Sequence, residues 1–202
     1  AYGITPPPLA RKIRNLLLLG QLIQNQATSL FIFTMPDRVG ADSLFHMPQE
    51  EASEETQFNI AQCALRIRKI GTDLITLAGG QFIHPVKAVI GGITSGIEPQ
   101  KAEAMRERMV RLLPRACALV DEYWELSMRM RDRIGTWGDD EPAYYIASSG
   151  SNKPALDNDS IHIMEPDGGI AASFKPHKFR DFLNYEDTIY SYAGQSSFQG
   201  KV

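Results

Sequence analysis

Cysteine is scarce in this chain. Cys63 and Cys117 are the only two among 202 residues, too few for a disulfide framework or a four-thiolate metal site. That scarcity fits a reducing, cytoplasmic setting. A basic excess is also missing: 21 Lys and Arg face 24 Asp and Glu, which excludes the charge signature of a nucleic-acid binder. The opening Ala1-Tyr2-Gly3-Ile4-Thr5 lacks the basic and apolar regions of a signal peptide. No clean apolar run of membrane-spanning length occurs. Residues 16–35 carry no charge, but Gln21, Gln24, Asn25, Gln26, Thr28, Ser29 and Thr34 interrupt them. A buried helix with a polar seam is expected there, not a transmembrane segment. Internal repeats are absent, and so are the glycine-rich phosphate loops, the H-E-x-x-H zinc motif and the G-x-S-x-G nucleophile elbow.

What is present is an ordinary globular composition, 43% hydrophobic and 22% charged, on a chain long enough for one sizeable core or two small ones. Pro6-Pro7-Pro8 announces a first helix over residues 9–33, since proline suits the first helical turn. Pro36-Asp37 should end it. Its front is basic and exposed (Arg11, Lys12, Arg14), and its later part is apolar nearly all round, which predicts central burial. A second helix should start at Ser53, a good N-cap with Thr56 and Gln57 behind it. It carries an apolar stripe of Ile60, Ala64, Ile67, Ile70 and Leu74 and ends at Gly79-Gly80. A third, over residues 95–134, has a seam of Met105, Met109, Leu112, Ala116, Leu119, Tyr123, Leu126 and Met130. Glu107 with Arg111 and Glu125 with Arg129 form i,i+4 pairs on its outside. Pro114 should kink or divide it.

Beyond Gly135-Thr136-Trp137-Gly138 the character changes. Residues 144–147 read as a short strand and 148–159 as loop. Residues 161–164 and 170–174 flank Pro166-Asp167-Gly168-Gly169 as a β-hairpin. Residues 179–183 suggest one helical turn, and the last dozen residues a surface loop. The fold class is mainly α: a long-helix bundle with a small antiparallel β-hairpin appendage. Residues 1–135 form the helical core, with a Gly/His-Pro loop at 79–97, and 136–202 form the hairpin and loop-rich appendage.

Four histidines are available, none paired at i,i+3 or i,i+4, so they build no helical metal site. His46 and His177 should be exposed, and His162 should face outward between Ile161 and Ile163. His84 differs because two glycine pairs, Gly79-Gly80 and Gly91-Gly92, frame its loop. Such pairs permit positive φ and close backbone approach, and loops of this kind carry function. The amides of Gln24-Asn25-Gln26 need partners inside an apolar helix. Either they bond neighbouring helices or form an exposed turn, or they aim a polar group at a ligand. Cys63 and Cys117 read as small apolar core residues.

Residues 21–37, closing on Met35-Pro36-Asp37, resemble the first core helix of nickel–iron hydrogenase large subunits. Residues 80–92, with His84-Pro85 and Gly91-Gly92, resemble that family's Gly…His-Pro…Gly-Gly loop. Residues 161–170 resemble its hairpin. The order and spacing agree along most of the chain, nearest to the soluble bidirectional enzymes coupled to NAD or a related hydride carrier. The resemblance implies a parent that splits or forms H2 at a Ni–Fe centre with CO and cyanide ligands, held by two Cys-x-x-Cys pairs. It also implies a partner, the iron–sulfur small subunit, with a diaphorase-type module beyond it. The chain departs from the family where it counts. Neither Cys-x-x-Cys pair is present, nor the Arg-Gly-x-Glu segment, and Gln24 and Gln26 stand where histidines are common. It therefore resembles a central fragment lacking both metal-bearing ends, with no metal ligand and no activity of its own. Asn25 aligns with a polar position over the active site. His84, Pro85, Gly91 and Gly92 align with the loop directed toward the small subunit's nearest cluster. Two other readings stand beside this one: a relative of the quinone-binding subunit of respiratory complex I, and a non-catalytic helical interaction module. A broad exposed apolar surface on the first helix would count against the module.

Overall fold

The computed structural model describes residues 4–46, 60–134, 144–149, 160–189 and 191–199. The chain divides into two compact units, Ala1–Trp137 and Gly138–Val202.

In the first unit, α1 (Pro8–Gln26) begins at the proline triplet. It runs without a break through a π-helical stretch, Ala27–Thr34, into α2 (Met35–Val39). The wider turn shows in its i→i−5 bonds. The Met35 N–H donates to the Leu30 carbonyl, and Thr34 Oγ1 donates to the Ser29 carbonyl at 2.6 Å. Pro36 does not end the helix. It falls in the first turn of α2, where the register has just changed and a missing N–H is tolerated. Gly40, at φ 68°, ends the run instead, as a left-handed C-cap.

α3 (Ile60–Gly79) buries Ala64, Ile70 and Leu74 of its expected stripe, while Ile60 and Ile67 are half-buried. Its expected N-cap, Ser53, lies outside the described residues. Gly80, at φ 91°, closes it with an N–H to the Thr76 carbonyl. α4 (Pro99–Arg129) is followed by the short α5 (Arg131–Ile134). Pro114 neither ends nor divides α4. It is exposed, so water can take the carbonyl that its missing N–H leaves free.

α1 and α3 cross at two glycines. A Cβ on Gly20 would meet Leu74 Cβ at 2.9 Å, and one on Gly71 would meet the Gln24 backbone nitrogen at 2.5 Å. Phe31, Met35, Leu44, Cys63, Ala64, Leu119 and Leu126 form the main core, and Ile70, Leu74 and Met105 a second. Burial pushes the Cys63 thiol above its ordinary pKa, against the pull of Arg115 and Arg66. The first helix is not enclosed as its apolarity predicted: Leu9, Leu19, Leu22 and Phe33 are exposed. By length and composition alone the run Pro8–Val39 could cross a membrane, yet Gln21, Asn25 and Gln26 are exposed on it as well. Arg14 is half-buried, not exposed as its basic neighbours suggested.

Asp73 ties α3 to α4, accepting from Lys69 on its own helix and from Arg108 at 2.7 Å. Burial pushes its carboxyl up, but the bonds from Lys69 and Arg108 outweigh this and hold it below the ordinary carboxylate value. Its folded pKa is therefore below its unfolded one. Its contribution is present above the unfolded pKa and lost as pH falls through the folded one. Because both partners are exposed, Asp73→Asn should cost no more than about 1 kcal/mol. Urea denaturation at neutral pH should show the difference, and at pH low enough to protonate Asp73 it should vanish.

The second unit holds more strand than a single hairpin. Tyr145–Ser149, Ser160–Met164 and Ile170–Phe174 form an antiparallel sheet in that order. Gly168, at φ 89°, turns the hairpin between Ser160–Met164 and Ile170–Phe174, and Asp167 Oδ1 accepts the Gly169 N–H at 2.8 Å. The turn expected at 179–183 is displaced: a 3-10 helix covers Pro176–Asp181 and Leu183 already starts a strand. The terminal stretch expected as loop is also strand, Ser191–Phe198, paired antiparallel with Leu183–Thr188. Packing explains this, because Phe198 is buried with Ile163 and Phe174 in this unit's own core. His162 carries Nδ1 at 2.6 Å from Ser173 Oγ, while Ile163 beside it is fully buried.

Candidate functional site

The loop that follows α3 is built by its backbone. Gly79 offers one carbonyl to two N–H groups, Val86 at 2.9 Å and Lys87 at 3.1 Å. Pro85 packs so closely on Gly79 that a Cβ there would sit 2.6 Å from Pro85 Cβ. Lys87 Nζ reaches the Leu77 carbonyl at 3.5 Å, and the Lys87 carbonyl accepts the Thr94 N–H at 2.9 Å. A two-residue hairpin pairs Ala88–Val89 with Gly92–Ile93. Gly91, at φ 80°, occupies the turn position that needs glycine.

Arg14 anchors this hairpin to α1. Its Nη2 donates to the Val89 carbonyl and, at 2.9 Å, to the Gly92 carbonyl. His84 sits at φ 55°, a left-handed conformation uncommon outside glycine, and is exposed. Gln81 Nε2 donates to its carbonyl at 2.7 Å, which holds the peptide in that conformation. Backbone strain of this kind concentrates at functional positions. Around His84 the apolar side chains of Ile83, Val86, Val89 and Ile90 all face solvent. Apolar groups clustered in the open on a backbone this well tied make this loop the candidate contact surface.

The amide triplet has separate fates. The Gln24 backbone fills the groove at Gly71, its Nε2 lies 3.4 Å from Thr28 Oγ1, and Thr28 returns a bond to the Gln24 carbonyl at 2.7 Å. Asn25 and Gln26 are exposed. The three amides therefore do not converge on the centre of this unit. Among the described residues no hydrogen bond or ion pair joins Asn25 to the His84 loop. Arg14, which holds the loop, lies 11 residues before Asn25, roughly 16 Å along the helix. Sequence reading missed Arg14 as a clamp, and only its place among three basic residues pointed to it. It also missed the π-helical stretch, a feature frequent at functional sites.

The donor set for a metal is poor. Among the described residues no group of three His, Cys, Asp or Glu side chains could hold an ion. Cys63 is buried in the core, whereas Cys117 is exposed and not a core residue as expected. His46 and His177 are exposed, His46 accompanied by Ser43 Oγ at 3.2 Å. These residues do not fit a nickel–iron centre, which calls for clustered soft thiolates. An open cleft of about 460 Å³ lies between the end of α2 and the end of α4, lined by Asp37, Arg38, Arg129 and Asp132. Arg38 stacks over Tyr123 there at 5.9 Å.

No known family profile matches the chain. Individual proteins do. The vhu-type F420-non-reducing hydrogenase of Methanocaldococcus jannaschii has a component, its A chain, that is 24% identical over 193 residues, which cover 95% of this chain and 46% of that protein. The alpha chain of sulfhydrogenase 1 of Pyrococcus furiosus is 27% identical over 204 residues, 100% of this chain and 43% of that one. Among solved structures, an NAD+-reducing [NiFe]-hydrogenase in the H2-reduced state superposes with a TM-score of 0.80 at 20% identity, over 96% of this chain and 44% of its own. The chain spans less than half the length of the relatives it matches. It has homologues, at low identity, among the large (alpha) subunits of hydrogenases, and its fold is that of a part of the nickel–iron hydrogenases.

Proposed function

We propose that this chain is the central part of the large, catalytic subunit of a cytoplasmic nickel–iron hydrogenase whose parent oxidises H2 or reduces protons reversibly. The observation that carries the reading is the superposition at TM-score 0.80 across 96% of the chain, supported by hydrogenase subunits that are sequence relatives over its full span. The metal ligands belong to the parent outside these residues, since the thiols here do not cluster. The chain alone therefore neither binds nickel nor turns over hydrogen. The loop around His84, Pro85, Gly91 and Gly92 docks the parent's iron–sulfur small subunit, with a diaphorase-type module as a further partner. Support comes from the solvent-facing Ile83, Val86 and Ile90 on a firmly tied backbone. Asn25, exposed on α1, supplies a neutral hydrogen-bonding group toward the parent's active site. The exposed Leu9, Leu19, Leu22 and Phe33 of the first helix favour a piece of a larger assembly over a free-standing module.

The test is elemental analysis and hydrogen uptake on the protein made from its complete reading frame. Stoichiometric nickel and H2-dependent dye reduction are expected there, and no stoichiometric nickel in a preparation of residues 1–202. A complete protein without nickel and without hydrogen turnover would sink the proposal.

A further inference from the structure

One backbone step of the second unit is chemically labile, and the fold holds both of its reacting groups. Asp167-Gly168 is the only Asp-Gly step in the chain, and no Asn-Gly step occurs. Glycine brings no side chain to hinder its nitrogen from approaching the preceding carboxyl. Both residues are exposed in the turn that joins Ser160–Met164 to Ile170–Phe174. Exposure alone would leave the step free to react, but three hydrogen bonds tie it down. The Gly168 N–H donates to the Glu165 carbonyl at 2.9 Å. Asp167 Oδ1 accepts the N–H of Gly169, one residue beyond the nitrogen that would attack, at 2.8 Å. The Glu165 N–H donates to the Gly169 carbonyl at 2.8 Å and closes the turn.

We infer that Asp167-Gly168 is an isoaspartyl modification site gated by the opening of this hairpin. Once the turn opens, the Gly168 nitrogen attacks Asp167 Cγ. An N–Cγ bond forms, a Cγ–O bond breaks, and the amide proton leaves with the carboxyl hydroxyl as water. Water then reopens the cyclic imide. Cleavage of the N–Cγ bond restores aspartate. Cleavage of the original peptide bond leaves the main chain running through Cβ and Cγ, an isoaspartyl link. The water released in the first step balances the water consumed in the second, and no other reactant enters. The product lengthens the backbone by a carbon within a turn whose length sets the strand register. The bonds of Glu165 to Gly168 and Gly169 then do not re-form in that register. Ile163 and Phe174 lose the pairing that places them in the core with Phe198. Modification is therefore a one-way record of how often the hairpin opens.

The test follows isoaspartate at position 167 by electron-transfer peptide mass spectrometry. Protein from the complete reading frame is held at neutral pH, either native or unfolded in guanidinium chloride. The native protein should accumulate the isomer at least ~10-fold more slowly. Ile163→Val trims a fully buried side chain of the hairpin. It should raise isoaspartate formation and Gly168 amide exchange by the same factor, roughly 2- to 10-fold. Cover of the turn by another part of the protein would also slow the native rate, but would leave it insensitive to Ile163→Val. Equal rates in native and unfolded protein overturn the inference. So does a rate that fails to rise in the Ile163→Val protein.

Discussion

Gly71→Val should destabilise the first unit by about 3 kcal/mol or more, at or above the upper end of overpacking costs. The smallest side chain already fails at this position. A Cβ would lie 2.5 Å from the Gln24 nitrogen and 2.8 Å from its Cα. These are backbone atoms of a neighbouring helix, so relief requires α1 and α3 to move apart. Gly71→Ala sets two effects against each other: alanine favours the helix by about 1 kcal/mol, while the clash works the other way. Overpacking costs of about 1–3 kcal/mol make the net change destabilising. Gly96→Ala is the control, because nothing lies within 4 Å of that Cβ and its effect should stay within ~0.5 kcal/mol. Chemical denaturation of the three variants checks the order. If Gly71→Val unfolds at the wild-type midpoint, the close crossing is wrong.

Such a crossing explains part of what the sequence withheld. Gly20 and Gly71 each interrupt a helical pattern, the one cue that a backbone approaches there. Which backbone it is depends on a contact some fifty residues away, and periodicity has no access to that. The inner stripes of α3 and α4 were legible because burial repeats at 3.6 residues, and Ala64, Leu74 and Leu119 are fully enclosed where the spacing put them. The end of the first helix was misread at Pro36 because the π-helical stretch shifts the hydrogen-bond register. The strand Ser191–Phe198 was misread because Ser, Gly and Gln hide its pattern, and Phe198 alone marks the inward face. Cys117 was assigned to a core because it sits beside the inner seam, although its side chain is exposed on α4.

The candidate site divides in the same way. Gly80 and Gly91 take positive φ as the glycine pairs foretold, and His84 stands out on the loop they shape. The surface between them was less visible, since nothing in the short apolar run of Ile83, Val86 and Ile90 tells whether those side chains are covered. Their exposure is a tertiary outcome. The backbone of 79–94 satisfies itself through Gly79 and Lys87, so the apolar side chains are not needed to hold the loop and remain available for contact.

What ties the hairpin of that loop to α1 is Arg14, and Arg14→Met should release it. The methionine keeps an apolar stem of similar reach but removes the donor to the Val89 and Gly92 carbonyls. A hydrogen bond from a charged donor contributes ~1.5–3 kcal/mol. Water can reach the Val89 carbonyl once the guanidinium is gone, so the lower half of that range applies. The Arg14 Nε is buried without a partner, a cost that disappears with the substitution and trims the loss further. The net effect should raise amide exchange in the 86–94 segment by ~10-fold or more, with α1 and α3 amides unchanged. Arg14→Lys should fall between, since an ammonium lacks the planar fork. Because the substitution leaves His84, Ile83 and Ile90 in place, it separates loop order from loop chemistry. If the loop docks an iron–sulfur subunit, binding of that subunit should weaken with the exchange rate. Weakened binding with unchanged exchange would instead make Arg14 part of the contact itself.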